Sequence, residues 1–172
     1  MALNFQIDEA LVNAMIDAGE KGFKLGNKKI SCVGVGRTPP LALASVSGMI
    51  GIVGRVNGSI LVNMSERVAI LVTNGILNAD FKGIVSDVLD GVAEVTNVIG
   101  GRLKSSLATV GYPLDNITLP SVIVGQNYSV TQSKGTTVYN ISFVVEDEQV
   151  PQLNDRVVQV VLTVMSPELK AN

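Results

Sequence analysis

Residues 84–111 read IVSDVLDGVAEVTNVIGGRLKSSLATVG, a helical pattern of about seven turns that meets no breaker stronger than glycine before Gly111-Tyr112-Pro113. At about 100° per residue the pattern divides into two faces. Val85, Val88, Leu89, Val92, Ile99, Leu103 and Leu107 fall on one side, which is expected to pack on a sheet. On the other side, within about 60° of Glu94, lie Asp87, Asp90, Gly91, Glu94, Asn97, Val98, Gly101 and Ser105, and only Val98 among them is apolar.

The flanking segments supply the sheet. Val46–Gly54 and Ser59–Asn63 are apolar, glycine-dotted runs on either side of Asn57-Gly58, two residues that tolerate the positive φ of a tight turn, so a hairpin is predicted there. Ser65 is placed to cap a short helix carrying Val68, Ala69, Leu71, Val72 and Ile76, which ends in the loop 78–83. Upstream, Ile7, Ala10, Leu11, Ala14, Met15 and Ala18 recur at helical spacing, with Asn4 or Asp8 as the cap and Gly19 as the stop. Ile30–Val35 then alternates as a strand before Pro39-Pro40 interrupts. Downstream, the β-branched runs Ser121–Thr131, Thr137–Glu146 and Arg156–Met165 are separated by Ser133-Lys134-Gly135 and by residues 147–155, and they predict a C-terminal antiparallel meander. No linker, charge block or shift of composition divides the chain. Residues 1–172 therefore read as one α+β domain, a mixed or antiparallel sheet packed against the long helix and shorter ones.

Composition narrows the chemistry. With 172 residues, 47% of them hydrophobic, the chain can bury a full core. Thirteen Lys and Arg against 15 Asp and Glu, with no long basic run, make nucleic acid an unexpected partner. Histidine is absent, which removes imidazole acid/base catalysis and the commonest zinc ligand. Cys32 is the single cysteine, so there is no internal disulfide, CxxC pair or thiolate cluster, and a reducing cytoplasm fits. The first ten residues carry Asp8 and Glu9 and no Lys or Arg, unlike a secretory signal. The most apolar runs, Val157–Met165 and Ile50–Val53, fall far short of the roughly 20 residues that span a bilayer, so a cytoplasmic protein without membrane contact is expected.

Glu94 and Asn97 stand at i and i+3, so both side chains leave one face and can reach a single partner molecule. Gly91 and Gly101 each cost about 1 kcal/mol relative to alanine in a helix interior. Glycines a turn away on either side would let another protein's backbone come close. On spacing alone a second reading stands beside this one: Gly100-Gly101 allow tight packing against another helix of the same fold, and Glu94 and Asn97 are merely solvated. Other constellations lack parts. Asp90 and Glu94 at i and i+4 have no further ligands and no sugar-stacking aromatic. Gly34-Val35-Gly36 has no third glycine or Walker lysine, and Ser105-Ser106 has no histidine to activate it. No metal site is expected.

From Val46 to Glu146 the sequence resembles the CheX branch of the CheC/CheX/FliY family of chemotaxis phosphatases. The likeness rests on four blocks in order: the glycine-rich hairpin Val46-Ser47-Gly48-Met49-Ile50-Gly51-Ile52-Val53-Gly54 with Gly58-Ser59-Ile60-Leu61-Val62; the helix opening Ser65-Glu66-Arg67-Val68-Ala69; Glu94-Val95-Thr96-Asn97-Val98-Ile99-Gly100-Gly101, similar to the family's ExxN signature; and Leu119-Pro120-Ser121-Val122-Ile123-Val124-Gly125. The resemblance implies docking of the ExxN face on the phosphorylated receiver domain of a CheY-like response regulator and hydrolysis of its aspartyl phosphate. Asn97 would hold a water in line with phosphorus, Glu94 would pair with the receiver's lysine, and Asp87, Asp90, Gly91, Val98 and Gly101 would surround them at the interface. The receiver supplies Mg²⁺ and the acyl phosphate, so no cofactor of the chain's own is expected. A homodimer joined at sheet edges is also implied. Glu66 is followed by Arg67-Val68-Ala69, which leaves one ExxN in the chain. A non-catalytic module that binds a receiver or a flagellar-switch protein is the alternative function on the same fold.

Overall fold

The computed structural model describes residues 8–37, 45–54, 56–126, 128, 130, 135–147 and 150–165; the Pro39-Pro40 break, the Ser133-Lys134 turn, Asn4 and Ile7 lie outside them. The elements are α1 (Glu9–Lys24), β1 (Ile30–Gly36), β2 (Val46–Val53), β3 (Asn57–Met64), α2 (Glu66–Leu77), α3 (Ser86–Thr109), β4 (Asn116–Ile117), β5 (Ser121–Val124), β6 (Thr137–Val145), a short 3-10 turn (Leu153–Arg156) and β7 (Val157–Met165). The strands form one sheet in the order β1-β6-β7-β3-β2-β4, with β5 also paired to β2, and every pairing is antiparallel.

One face of the sheet carries Ile50, Ile60, Val62, Ile141, Phe143, Val158 and Val160, all buried against the apolar sides of the helices. Val88, Val92, Ile99, Leu103 and Leu107 of α3 join this core as expected. Each such aliphatic side chain removed from water contributes about 1.5–3 kcal/mol. Val85 departs from the wheel: it is the N-cap residue of α3, extended and exposed, because the helix starts one residue after it. On the opposite face Leu61, Val138 and Val161 form a separate small cluster.

Side-chain caps start α1 and α2, and packing carries α1 past its glycines. Asp8 caps α1 by accepting from the Leu11 N–H at 3.1 Å, and Ser65 caps α2 by accepting from the Val68 N–H at 3.2 Å. Gly19 does not stop α1, which continues through Gly22 to Lys24. A Cβ at Gly19 would lie 2.6 Å from Phe143, and one at Gly22 would lie 2.3 Å from Ile99. These glycines are the points where α1 crosses β6 and α3, so close contact replaces the breaking tendency of the residue type.

Two strand expectations are corrected. The hairpin turn sits at Gly54, whose φ is +147°, and Asn57-Gly58 belong to β3, where Gly58 pairs with Ile52 and Val164. A side chain at Gly58 would strike the Thr163 carbonyl of β7, so that glycine serves strand approach instead of a turn. The expected meander is also not formed: β6 and β7 pair, but β5 is short and joins β2, with β3 and β2 lying between it and β7. Once β2 offers an open edge, the chain leaving α3 reaches it first, at β4 and β5.

The start of α1 and the end of α3 are tied together by a bond from the Tyr112 hydroxyl beyond α3 to the Asp8 carboxylate that caps α1. This bond, with the Leu11 N–H, holds the Asp8 carboxyl below its ordinary range, and the same bond helps push the Tyr112 phenol up to about 12. A carboxyl depressed in the folded state adds stability above its unfolded pKa and loses it as pH falls through the folded value. Tyr112→Phe is expected to cost about 1 kcal/mol at neutral pH, a charged hydrogen bond discounted for partial exposure. Denaturant melts from pH 6 down to pH 2 should show the gap between mutant and wild type closing in acid.

Candidate functional site

α3 is seated on β2 by close approach. A Cβ at Gly48 would lie 1.8 Å from the Thr96 hydroxyl, and one at Gly100 would lie 2.6 Å from Ile50. Thr96 is buried and satisfies its hydroxyl by donating to the Val92 carbonyl at 2.7 Å. With Thr96 and Gly100 turned inward, Asp87, Asp90, Glu94, Asn97, Gly101 and Ser105 are exposed on the far side, and Val98 is half-buried.

Gly91 is a correction. It is buried, and a Cβ there would lie 2.2 Å from Thr73 of α2, whose hydroxyl donates to the Val88 carbonyl at 3.2 Å. It stands about 60° around the helix from Glu94, on the side where α2 crosses, so it belongs to the α2–α3 seam and not to the open face. Gly101 behaves oppositely: beyond the nearby backbone of α3 itself, no atom of the described residues lies within 4 Å of where its Cβ would be. Gly100 meets the sheet: the nearest atoms of the described residues to its Cβ position belong to Ile50 and Ile117. The reading in which Gly100-Gly101 serve a helix–helix contact therefore does not describe this fold.

Neither Glu94 nor Asn97 has a hydrogen-bond or ion-pair partner among the described residues, and Asp87 and Asp90 have no ion-pair partner there either. Asp90 and Glu94 face each other at i and i+4 as uncompensated like charges, an arrangement that costs a few tenths of a kcal/mol until a cation arrives. Over Gly101 the surface opens into a hollow of about 330 Å³, bounded by Asn97, Arg102 and Ser105 of α3 and by Asp17 and Lys21 of α1. The walls contributed by α1 and Arg102 were not legible in the sequence. Arg102 lies about 80° from Glu94, outside the polar arc, and which part of α1 crosses α3 is settled only in three dimensions.

A larger groove, about 700 Å³, runs along α2 between Ser65, Glu66, Arg67, Asn74 and Phe81, and shares no residue with the hollow. Ala69, at i+3 from Glu66, is fully buried, so α2 presents no equivalent of the Glu94/Asn97 pair. Among the described residues no group of three or more Cys, Asp or Glu is placed to hold a metal ion. No helix there is long and apolar enough to cross a membrane.

Residues 46–144 match the family described as chemotaxis phosphatase CheX. Among solved structures, a chemotaxis protein from Desulfovibrio vulgaris Hildenborough is similar at 26% identity, with a TM-score of 0.77 over 90% of this chain and 96% of that one. A CheC-like superfamily protein from Shewanella sp. PV-4 is similar at 23% identity, with a TM-score of 0.77 over 92% and 99%. CheX in the CheX–CheY–BeF₃–Mg²⁺ complex from Borrelia burgdorferi is similar at 21% identity, with a TM-score of 0.71 over 90% and 97%. The last two speak for the fold. No curated protein sequence matches the chain.

Proposed function

The chain belongs to the CheX family of chemotaxis phosphatases, and on that premise we propose that it hydrolyses the aspartyl phosphate of a CheY-like response regulator, with Asn97 positioning the attacking water and Glu94 anchoring the receiver. One observation carries the reading: Glu94 and Asn97 stand side by side, exposed and without partners among the described residues, on a helix seated on the sheet and next to a glycine that leaves open space. A helix seated this firmly on a sheet is a stiff mount, which is what water positioning requires.

The chemistry asks little of this chain. A receiver brings the acyl phosphate and Mg²⁺, so the missing ingredient is a water fixed for in-line displacement. A carboxamide can both donate to and accept from that water, and it needs no tuned pKa. The acidic row Asp87, Asp90 and Glu94 awaits a cation, which a receiver lysine would supply. In this reading the chain needs no metal or cofactor of its own and acts in the cytoplasm, where its partner is. The open edges of β1 and of β4 with β5 are the candidate contacts of a homodimer.

The test is to phosphorylate the CheY-type receivers of the same genome with a small-molecule phosphodonor and follow acyl-phosphate loss in Mg²⁺ with and without this protein. Faster decay is expected with at least one receiver. Binding without acceleration would make the chain a non-catalytic module; the intact Asn97 amide, which a pure binder does not need, favours the enzyme. Gly101→Leu separates docking from folding. It should stabilise α3, since glycine costs about 1 kcal/mol in a helix, while filling the hollow and weakening receiver binding about tenfold. A raised Tm with unchanged phosphatase activity would show that the partner does not approach Gly101.

A further inference from the structure

Charge is divided along the exposed face of α3. The half before Asn97 carries Asp87, Asp90 and Glu94 and no base. Past Asn97 the charges around the hollow are Arg102 of α3 with Lys21 and Asp17 of α1. The Lys21 ammonium lies 2.6 Å from the Asp17 carboxylate, a partly exposed pair that largely cancels itself. Arg102 is exposed and has no ion-pair or hydrogen-bond partner among the described residues, so the hollow is left with a net positive edge.

Resting on the phosphatase reading, we propose that Arg102 is a second anchor for the receiver: it pairs with a carboxylate on the receiver surface and so sets the receiver's orientation about Asn97. An unpaired guanidinium presents a planar fork that matches a carboxylate. Glu94 and Arg102 are eight residues apart, about 12 Å along the helix and about 80° around it, with Asn97 between them in height but on the other side of Glu94, so that opposite charges flank the amide from two directions. A partner held at Glu94 alone could swivel about that contact, and in-line attack fails when the phosphoryl group turns away from the held water. A second contact of opposite sign removes that freedom. It also discriminates, because a receiver docked the other way round would meet like charges at both ends, and one with a base at this place would meet a like charge at Arg102. The Gly101 hollow gives the receiver segment that bears the carboxylate room to reach Arg102.

The experiment measures affinity for a CheY-type receiver activated with beryllofluoride and Mg²⁺, for wild type, Arg102→Glu and Lys82→Glu, and phosphatase rates for the same proteins. Lys82→Glu changes net charge equally from a site on the α2 groove, away from Asn97. Both side chains are exposed, and matching thermal melts confirm intact folds. Arg102→Glu is expected to weaken binding about tenfold, to raise the receiver concentration for half-maximal rate alike and to lower kcat several-fold, because a receiver held at Glu94 alone is misaligned with the held water for part of the time, with Lys82→Glu unchanged. Equal affinity of Arg102→Glu and wild type, or equal weakening by both substitutions, would overturn the second anchor while leaving the phosphatase reading in place. Binding weakened by Arg102→Glu, with no hydrolysis by wild type, would remove the catalytic reading alone. No binding by wild type to any receiver would overturn both.

Discussion

Asn97→Ala is expected to lower the rate of receiver acyl-phosphate hydrolysis by about a hundredfold or more, while leaving affinity for the activated receiver within a few-fold of wild type. A factor of one hundred corresponds to about 2.7 kcal/mol of barrier. That is within what one positioned water can supply when the reacting group and Mg²⁺ are already in place. The substitution is clean for a structural reason. Asn97 is exposed, has no internal hydrogen bond among the described residues, and lies mid-helix, where alanine is the better residue. Melting should therefore be unchanged or slightly raised. Glu94→Ala provides the contrast, since loss of the anchor should weaken binding as well as rate. If Asn97→Ala hydrolysed the acyl phosphate as fast as wild type, water positioning by this amide would be wrong, whatever the partner.

The second large effect concerns how that amide is held. Gly48→Ala should lower stability by about 3 kcal/mol, because a methyl group on β2 would overlap the Thr96 side chain at its hydroxyl and crowd its Cβ at 2.8 Å. For a chain of this size that is a fall in Tm of about 10 °C. Thr96 is β-branched and buried, so it cannot rotate away, and relief requires α3 to lift from the sheet. Asn97 follows Thr96 directly, so phosphatase activity should fall in protein that remains folded. Thr96→Ala in the same chain removes the hydroxyl but keeps Cβ, and the double substitution should recover part of the loss, a coupling of about 1 kcal/mol by thermal melts. A Gly48→Ala protein that melts with the wild type would show that α3 is not seated by this contact.

The site was legible to the extent that one helix can be read in isolation. Periodicity placed Val88, Val92, Ile99, Leu103 and Leu107 inward and Glu94 and Asn97 outward, and the structure agrees. Periodicity cannot say which side of the helix its neighbours occupy. Gly91 and Gly101 read alike as glycines flanking the pair, yet α2 covers the first and no described residue covers the second. Arg102 and Lys21 come together only because α1 crosses α3 at Gly22 and Ile99. The strands divide in the same way: β2, β3, β6 and β7 were expected close to where they lie, but the placement of β5 beside β2 was not.

By itself, then, the sequence determined the elements whose causes are local. Ser65 caps its helix with its own side chain, as Asp8, one of two candidates, does for α1, the long apolar stripe commits α3 to lie on a sheet, and the ordered blocks from Val46 to Glu146 mark the family. The tertiary structure alone decided which glycines are crossing points, where the hairpin turns, which edge β5 takes and what walls the hollow beside Asn97. The physical reason is range: caps and periodicity act within a turn or two, whereas steric close approach and strand pairing depend on residues distant along the chain, whose positions exist only once the core has formed.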